Sequence, residues 1–247
     1  MIIYGRNSVK EALRSNKTVE KLYILKGMED PAMANIYKYT KNNKSLVISY
    51  VDKKVLDKMA DKGNHQGVVA IVTDYEYSSI EDIEQLAKDR NEPLFILILD
   101  GINDPHNLGA IIRSAECFGV HGIIIPKHRS VTVNDTVIKV ASGAAEHMLV
   151  AKVTNINDTI RMLKEHNVWV YATDFDGQTP KSANLTGNLA IVIGSEGDGI
   201  SKLTKELCDD TLTIPQYGEI NSLNASVATG IILYEAVRQR KWVKKLV

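Results

Sequence analysis

The chain has 247 residues, 44% of them hydrophobic, with 30 Lys and Arg balancing 30 Asp and Glu. This fits one large domain or two smaller ones around buried cores, and excludes a disordered chain or a uniformly basic nucleic-acid coat. Two cysteines, Cys117 and Cys208, exclude a disulfide framework, and no CxxC or paired Cys/His cluster suggests a metal site.

The charge is uneven along the chain. Residues 1–75 hold 13 basic and 8 acidic side chains, residues 76–92 hold 2 and 6, and residues 93–247 hold 15 and 16. A basic first third followed by an acidic segment predicts two modules with different partners. The opening MIIYGRNSVKEALRS lacks the apolar run of a secretory signal, and the aliphatic run 94–99 is far too short for a bilayer. The expectation is a soluble cytoplasmic protein with no membrane partner.

In chain order, β-branched-rich strands are predicted at 22–25 (LYIL), 46–51 (LVISYV) and 68–72 (VVAIV), with helices at 7–14, 32–41 and 53–60. Together these make a small α/β module over 1–75. Residues 76–92 read as an acidic linker, with one amphipathic stretch at Ile80, Ile83, Leu86 and Ala87. Beyond it, strands are predicted at 94–100, 122–126, 148–153, 168–174, 189–194 and 211–215. Helices are predicted at 108–118, 133–141, 156–166, 200–208 and 222–242. Continuous aliphatic strands alternating with helices predict a parallel sheet covered on both faces. Such sheets bind ligands beyond the carboxyl ends of their strands.

Three segments at strand ends stand out. In the first, DPHNLGAIIRSAECFG (104–119), Asn107 is placed to cap a helix, and Arg113 and Glu116 are spaced to pair on it. On spacing alone, a capped surface helix with an ordinary ion pair fits equally well. The second, IVIGSEGDGIS (191–201), is glycine-rich but lacks the Walker lysine, and its Glu196 and Asp198 would repel a polyphosphate. It suits a neutral or cationic ligand, or is simply a turn. The third, IPQYGEINSLNASVATGIILYEA (214–236), passes from a strand through a polar loop into a long helix that Ser222 is placed to cap.

These three segments, in this order, resemble the three signature motifs of the SpoU/TrmH family of RNA ribose 2′-O-methyltransferases, within the SPOUT superfamily. The resemblance covers roughly 94–240. The first region, with IYGRNSVKEAL at its start and NHQGVVAIV near its end, resembles the L30e-like RNA-binding domain of the family's 23S rRNA branch. The fold class implied is α/β, with a parallel-sheet trefoil-knot domain over 93–247 preceded by the L30e-like domain.

The resemblance also implies an activity: transfer of a methyl group from S-adenosylmethionine to the 2′-hydroxyl of a guanosine in 23S rRNA, by a homodimer. A tRNA methyltransferase of the same family and a non-catalytic rRNA-binding homologue are the alternatives. Carried over residue by residue, the cofactor would lie against Gly194, Glu196, Ile214, Ser222, Leu223, Asn224 and Ala228. Arg113 takes the place of the family's catalytic arginine, with Asn107, Glu116 and Asn224 in the same set. A guanidinium with a pKa above about 12 is a poor base, so Arg113 fits better as a ligand for the target phosphate or the developing alkoxide. His106 is a rival base, or a turn histidine facing solvent. Arg6, Asn7, His65 and Gln66, within the segments that match the RNA-binding domain, are the expected RNA contacts together with Arg113. Val227, Ile231 and Tyr234, on one stripe of the terminal helix, form the expected dimer surface.

Overall fold

The computed structural model describes residues 1–14, 18–28, 30–42, 46–73, 75–195, 197, 199–219 and 222–242. The chain divides into two units, Met1–Glu76 and Tyr77–Val247.

The first unit runs β1 (Ile2–Tyr4), α1 (Arg6–Ala12), β2 (Thr18–Leu25), α2 (Ala34–Asn42), β3 (Val47–Val51), α3 (Lys53–Met59) and β4 (Val68–Thr73). Its sheet has the order β1-β4-β2-β3, with β2 and β3 parallel and β4 antiparallel to both its neighbours. Alternate strand residues point to opposite faces. Leu22, Ile24, Val68, Ala70 and Val72 therefore share a core with Val9 and Leu13 from the α1 region and Met33 and Ile36 from the α2 region. Val69 points the other way, onto Leu56 of α3 and Ala60. Strand β1, three residues long, escapes the periodicity argument because it is too short to show an alternation.

The second unit runs α4 (Ile80–Asp89), β5 (Phe95–Asp100), α5 (Pro105–Cys117), β6 (Gly122–Pro126), α6 (Asp135–Ala141), β7 (Leu149–Val153), α7 (Ile156–Glu165), β8 (Trp169–Gln178), β9 (Leu189–Gly194), α8 (Lys202–Leu207), β10 (Asp210–Leu212) and α9 (Ala225–Val237). All six strands are parallel, in the order β10-β8-β9-β5-β6-β7. Ile96, Ile98, Ile124, Val170 and Val192 form one core with Ile83 of α4 and Ile156, Ile160 and Leu163 of α7. The intervening Leu97, Leu99, Ile123, Ile125 and Ile191 are buried too. Burial on both faces requires a second helical layer. Leu108, Ile111, Ile112 and Ala115 of α5 and Ile232, Leu233 and Ala236 of α9 are buried likewise, and α5 packs against α6, α9 and β6.

The segment 76–92 is not a linker. A capping box between Ser79 and Asp82 starts α4, and a β-carbon added at Gly122 would come within 2.4 Å of the Ile83 side chain. The helix thus lies directly on the sheet and belongs to the second unit. Its acidic residues made a half-buried helix look like a spacer.

Two helix starts also differ from expectation. Helix α5 begins at Pro105, with Asp104 as its cap, accepting from the His106 N–H at 3.0 Å; Asn107 lies inside the helix. Proline at the first helical position is itself a start signal. Helix α9 is capped by Asn224, not Ser222, through the N–H groups of Ser226 (3.0 Å) and Val227 (3.3 Å). Its end widens into a π-helical turn, Arg238–Trp242. There the Arg240 guanidinium donates to the carbonyls of Gly187 (2.6 Å) and Pro93 (2.5 Å), which ties the helix end to the base of the sheet.

Strand β10 is shorter than the predicted 211–215. It pairs with β8 across a break, Thr211 opposite Ala172 but Leu212 opposite Gln178. Residues 173–177 of β8 are therefore extruded as a bulge, which re-aims the chain at the strand's carboxyl end. From β10 at the sheet edge the chain runs back to α9, which packs on α5 and β9 at the sheet's centre.

Candidate active site

The carboxyl ends of β8, β9 and β10 meet the loop before α9 and that helix's first turns around a cavity of about 350 Å³. A parallel sheet points its strand ends in one direction, so residues far apart in sequence converge there. Ile193, Ile200, Leu212, Ile214, Leu223 and Ile232 supply apolar wall, and Thr173, Ser195, Gln216 and Ser222 supply polar groups. Asp174 is the charged residue among the described lining. It pairs with Lys205 of α8, and that hydrogen bond holds its carboxyl below the usual aspartate range.

The glycine-rich loop closes on itself. The Ser195 N–H donates to the Gly199 carbonyl and the Gly199 N–H to that of Ser195, both at 3.1 Å. A β-carbon at Gly194 would lie 2.3 Å from the Gly199 carbonyl carbon and 2.5 Å from the Ile200 nitrogen. Both are backbone atoms, which cannot give way as a side chain can. Gly194 is thus needed for the loop to fold over the strand end. Gly197 and Gly199 line the cavity, and a β-carbon at either would meet open space.

Of the expected cofactor residues, Gly194, Ile214, Ser222, Leu223 and Ala228 line the cavity. Asn224 stands beside them as the α9 cap. Glu196 lies outside the described residues. Sequence reading missed Thr173, Asp174 and Phe175. The available signal was that β8, as a parallel strand of the same sheet, ends on the same side as β9.

The first and third motifs are joined directly. Asn107, only 6% exposed, accepts a hydrogen bond at 2.9 Å through its Oδ1 from Nδ2 of Asn224. Arg113 and Glu116 lie further along α5, both exposed. The expected ion pair between them does not form, and no other partner engages Arg113 among the described residues. His106 is exposed in the helix's first turn.

In the first unit, Arg6, Asn7 and Gln66 line a separate cavity of about 400 Å³. Arg6 is engaged within the protein, with Asp30 at 2.6 Å and the Gln66 carbonyl at 3.2 Å. His65, also expected to contact RNA, turns its ring inward. It is 7% exposed, its Nε2 lies 3.0 Å from Asp57 Oδ1, and its Nδ1 accepts from the Gly67 N–H at 2.9 Å. Its ring fixes the turn ahead of β4.

Among the described residues no helix is long and apolar enough to cross a membrane, and no group of three or more His, Cys, Asp or Glu is placed to hold a metal ion.

Residues 94–234 match the model of the SpoU rRNA methylase family, and residues 2–78 match that for RNA 2′-O ribose methyltransferase substrate binding. The chain is 43% identical to the 23S rRNA (guanosine-2′-O-)-methyltransferase RlmB of Escherichia coli, over 97% of this chain and 98% of that protein. It is also 43% identical to a Bacillus subtilis protein described as a TrmH family tRNA/rRNA methyltransferase, over 96% and 95% of the two chains. A crystal structure of an AdoMet-bound rRNA methyltransferase from Sinorhizobium meliloti is similar in fold. It has a TM-score of 0.61 at 28% identity, and the match covers 96% of this chain and 86% of that one.

Proposed function

The chain belongs to the SpoU rRNA methylase family, and on that premise we propose that it transfers the methyl group of S-adenosylmethionine to the 2′-hydroxyl of a guanosine in 23S rRNA. The observation that carries this reading is the strand-end cavity, built from the second and third motifs and tied to the first by the Asn107–Asn224 hydrogen bond. Its lining suits the cofactor: apolar wall for an adenine, hydroxyls and amide for a ribose and an amino-acid tail, and no cation among the described lining to repel a sulfonium.

When bound, S-adenosylmethionine supplies an electrophilic methyl on a sulfonium whose charge disappears on transfer. The protein's own task is to position the ribose hydroxyl and stabilise the charge that develops on it. Arg113 fits that role. It is exposed on the first-motif helix with no internal partner among the described residues, so its guanidinium is free to take a phosphate or an alkoxide. Asn107 and Asn224 position the helices that carry the two halves of the site; Glu116 stands one turn beyond Arg113.

The working unit is a homodimer formed through α9. Leu223, Val227, Ile231 and Tyr234 form an exposed apolar stripe on and just before this helix, which is apolar on its other faces as well. The return of the chain from the edge strand β10 to the sheet centre supports the knotted path that the family resemblance implies. The RNA is held in part by the basic first unit, and the protein works in the cytoplasm.

The test is transfer of labelled methyl from S-adenosylmethionine to a 23S rRNA fragment and to tRNA, with the product nucleoside identified by mass spectrometry. A 2′-O-methylguanosine in the rRNA fragment alone is the expected result. Methylation of tRNA alone would move the protein to the tRNA branch, and cofactor binding without transfer to either would make it a non-catalytic homologue.

A further inference from the structure

Three cations of the first unit face one groove. Lys10 of α1 and Arg14, one turn beyond it, stand on one side; Lys38 of α2 stands on the other, and Leu13 and Ile36 make the floor. The groove measures about 540 Å³. Its lining includes no carboxylate, and among the described residues none of the three cations has an ion-pair or hydrogen-bond partner. Arg6, by contrast, is neutralised by Asp30. The free positive charge on this face of the sheet thus lies along α1 toward Arg14 rather than at the Arg6 end.

The groove also carries an aromatic ring. Tyr39 is 38% exposed at its wall. Unpaired cations beside an exposed ring and an apolar floor match the needs of an unstacked nucleotide, whose phosphates take the charges while its base takes the ring. A cavity of this size admits a splayed nucleotide, whereas a duplex presents its bases stacked and paired. The groove shares Lys10 and Ile36 with the cavity lined by Arg6, Asn7 and Gln66, so the two form one continuous track.

We propose that the groove between α1 and α2 grips a single-stranded segment of the RNA substrate, with Lys10, Arg14 and Lys38 on its phosphates and Tyr39 stacked on a base. The proposal rests on the reading of the protein as an RNA methyltransferase. It adds where the first unit holds the RNA, and that the segment held there is unpaired.

The test uses the full chain and a 23S rRNA fragment that the wild type methylates, with affinity read by fluorescence anisotropy between 50 and 200 mM salt. Lys10→Gln with Lys38→Gln should weaken binding about ten-fold at the low-salt end. It should also flatten the log–log salt dependence by about 1.4, near 0.7 for each single-strand phosphate no longer neutralised. Arg14→Gln alone, at an exposed position, should flatten it by about 0.7. Lys53→Gln with Lys54→Gln removes the same charge from α3, on the opposite face of the sheet, and should leave affinity within about two-fold of wild type. Tyr39→Ala should weaken binding where Tyr39→Phe does not, and an unpaired oligonucleotide should compete better than the same sequence in a duplex. Equal losses from the groove and α3 pairs, or equal behaviour of the two Tyr39 variants, would overturn the groove while leaving the methyltransferase reading intact. Failure of the wild type to methylate any rRNA or tRNA would remove that reading, and the groove's proposed occupant with it.

Discussion

The Asn224 Nδ2 donates to the Asn107 Oδ1 at 2.9 Å, a bond between side chains 117 residues apart that locks the first turn of α5 to the start of α9. The same Asn224 uses its Oδ1 to accept from the N–H groups of Ser226 and Val227 and from the Ser226 hydroxyl. One amide thus caps a helix with one end and joins two motifs with the other. Replacing it with alanine removes both functions. Asn224→Ala should lower stability by about 0.5–2 kcal/mol, the range for losing a helix cap. Asn224→Ser keeps a capping oxygen but cannot reach as far as Asn107. It should unfold near the wild-type temperature yet bind S-adenosylmethionine more weakly. Thermal denaturation and calorimetry, run on both variants, separate the two roles; equal destabilisation by both would mean that the bridge, not the cap, dominates.

Gly194→Ala should reduce S-adenosylmethionine affinity by at least about ten-fold, and Gly194→Val by more. The added carbon meets the backbone of Gly199 and Ile200, so the loop must move away from the strand end and the cavity loses one wall. Calorimetric titration that gives wild-type affinity for Gly194→Val would put the cofactor elsewhere.

Arg113→Ala should leave both the melting temperature and the cofactor affinity near wild type, because nothing among the described residues depends on its side chain. Transfer to RNA should fall by more than ten-fold, a barrier increase above about 1.4 kcal/mol. Arg113→Lys should not restore it, since a point charge cannot reproduce a two-pronged donor. His106→Ala, changing an exposed turn residue, should retain most of the activity. A pH–rate profile that loses its acidic limb in His106→Ala would assign the base to the histidine instead.

His121 should make the second unit sensitive to mild acid. It is 1% exposed, its Nδ1 accepts the Phe95 N–H at 3.0 Å, and its Nε2 faces Glu92 at 3.2 Å. Burial lowers its pKa below the ordinary 6.5 despite the opposing pull of Glu92. The unfolded chain therefore binds the proton more readily than the folded one, and stability falls as pH drops from about 6.5 toward the folded value. Melting temperatures measured between pH 7 and pH 5 should decline. His121→Asn should be less stable at pH 7 but show a flatter decline; an unchanged slope would assign the acid sensitivity to other groups.

The dimer proposed to form through α9 should dissociate to monomer in sedimentation measurements on Val227→Asp with Ile231→Asp. Both side chains are exposed, at 50% and 42%, so the substitutions remove apolar surface without opening a core. A dimer that survives both changes would place the interface away from α9.

Most of the strands, the two-unit composition and the three motifs follow from local pattern. Aliphatic runs such as FILILD and LAIVIG have no polar face to turn to water, so only a doubly covered parallel sheet accommodates them. The strand-end rule then puts the motifs on one side before any contact is known. What local pattern misjudged were boundaries and partners. Asn107 and Ser222 have the chemistry of caps, but Asp104 and Asn224 occupy the cap positions because Pro105 and the loop before α9 fix where each helix begins. His65 has the chemistry of a surface contact, but its turn folds the ring inward onto Asp57.

The sequence by itself determined the alternating α/β order and the family, because propensity, periodicity and motif order are properties of neighbours along the chain. Only the tertiary structure decided that Ile80–Asp89 is a helix packed on the sheet, that the β8 bulge with Asp174 faces the cavity, that Arg113 stands free of Glu116, and that Asn107 meets Asn224. Each of these depends on which residues distant in sequence come within a few ångströms, and that distance is set by how the sheet and its two helical layers pack, not by any local pattern.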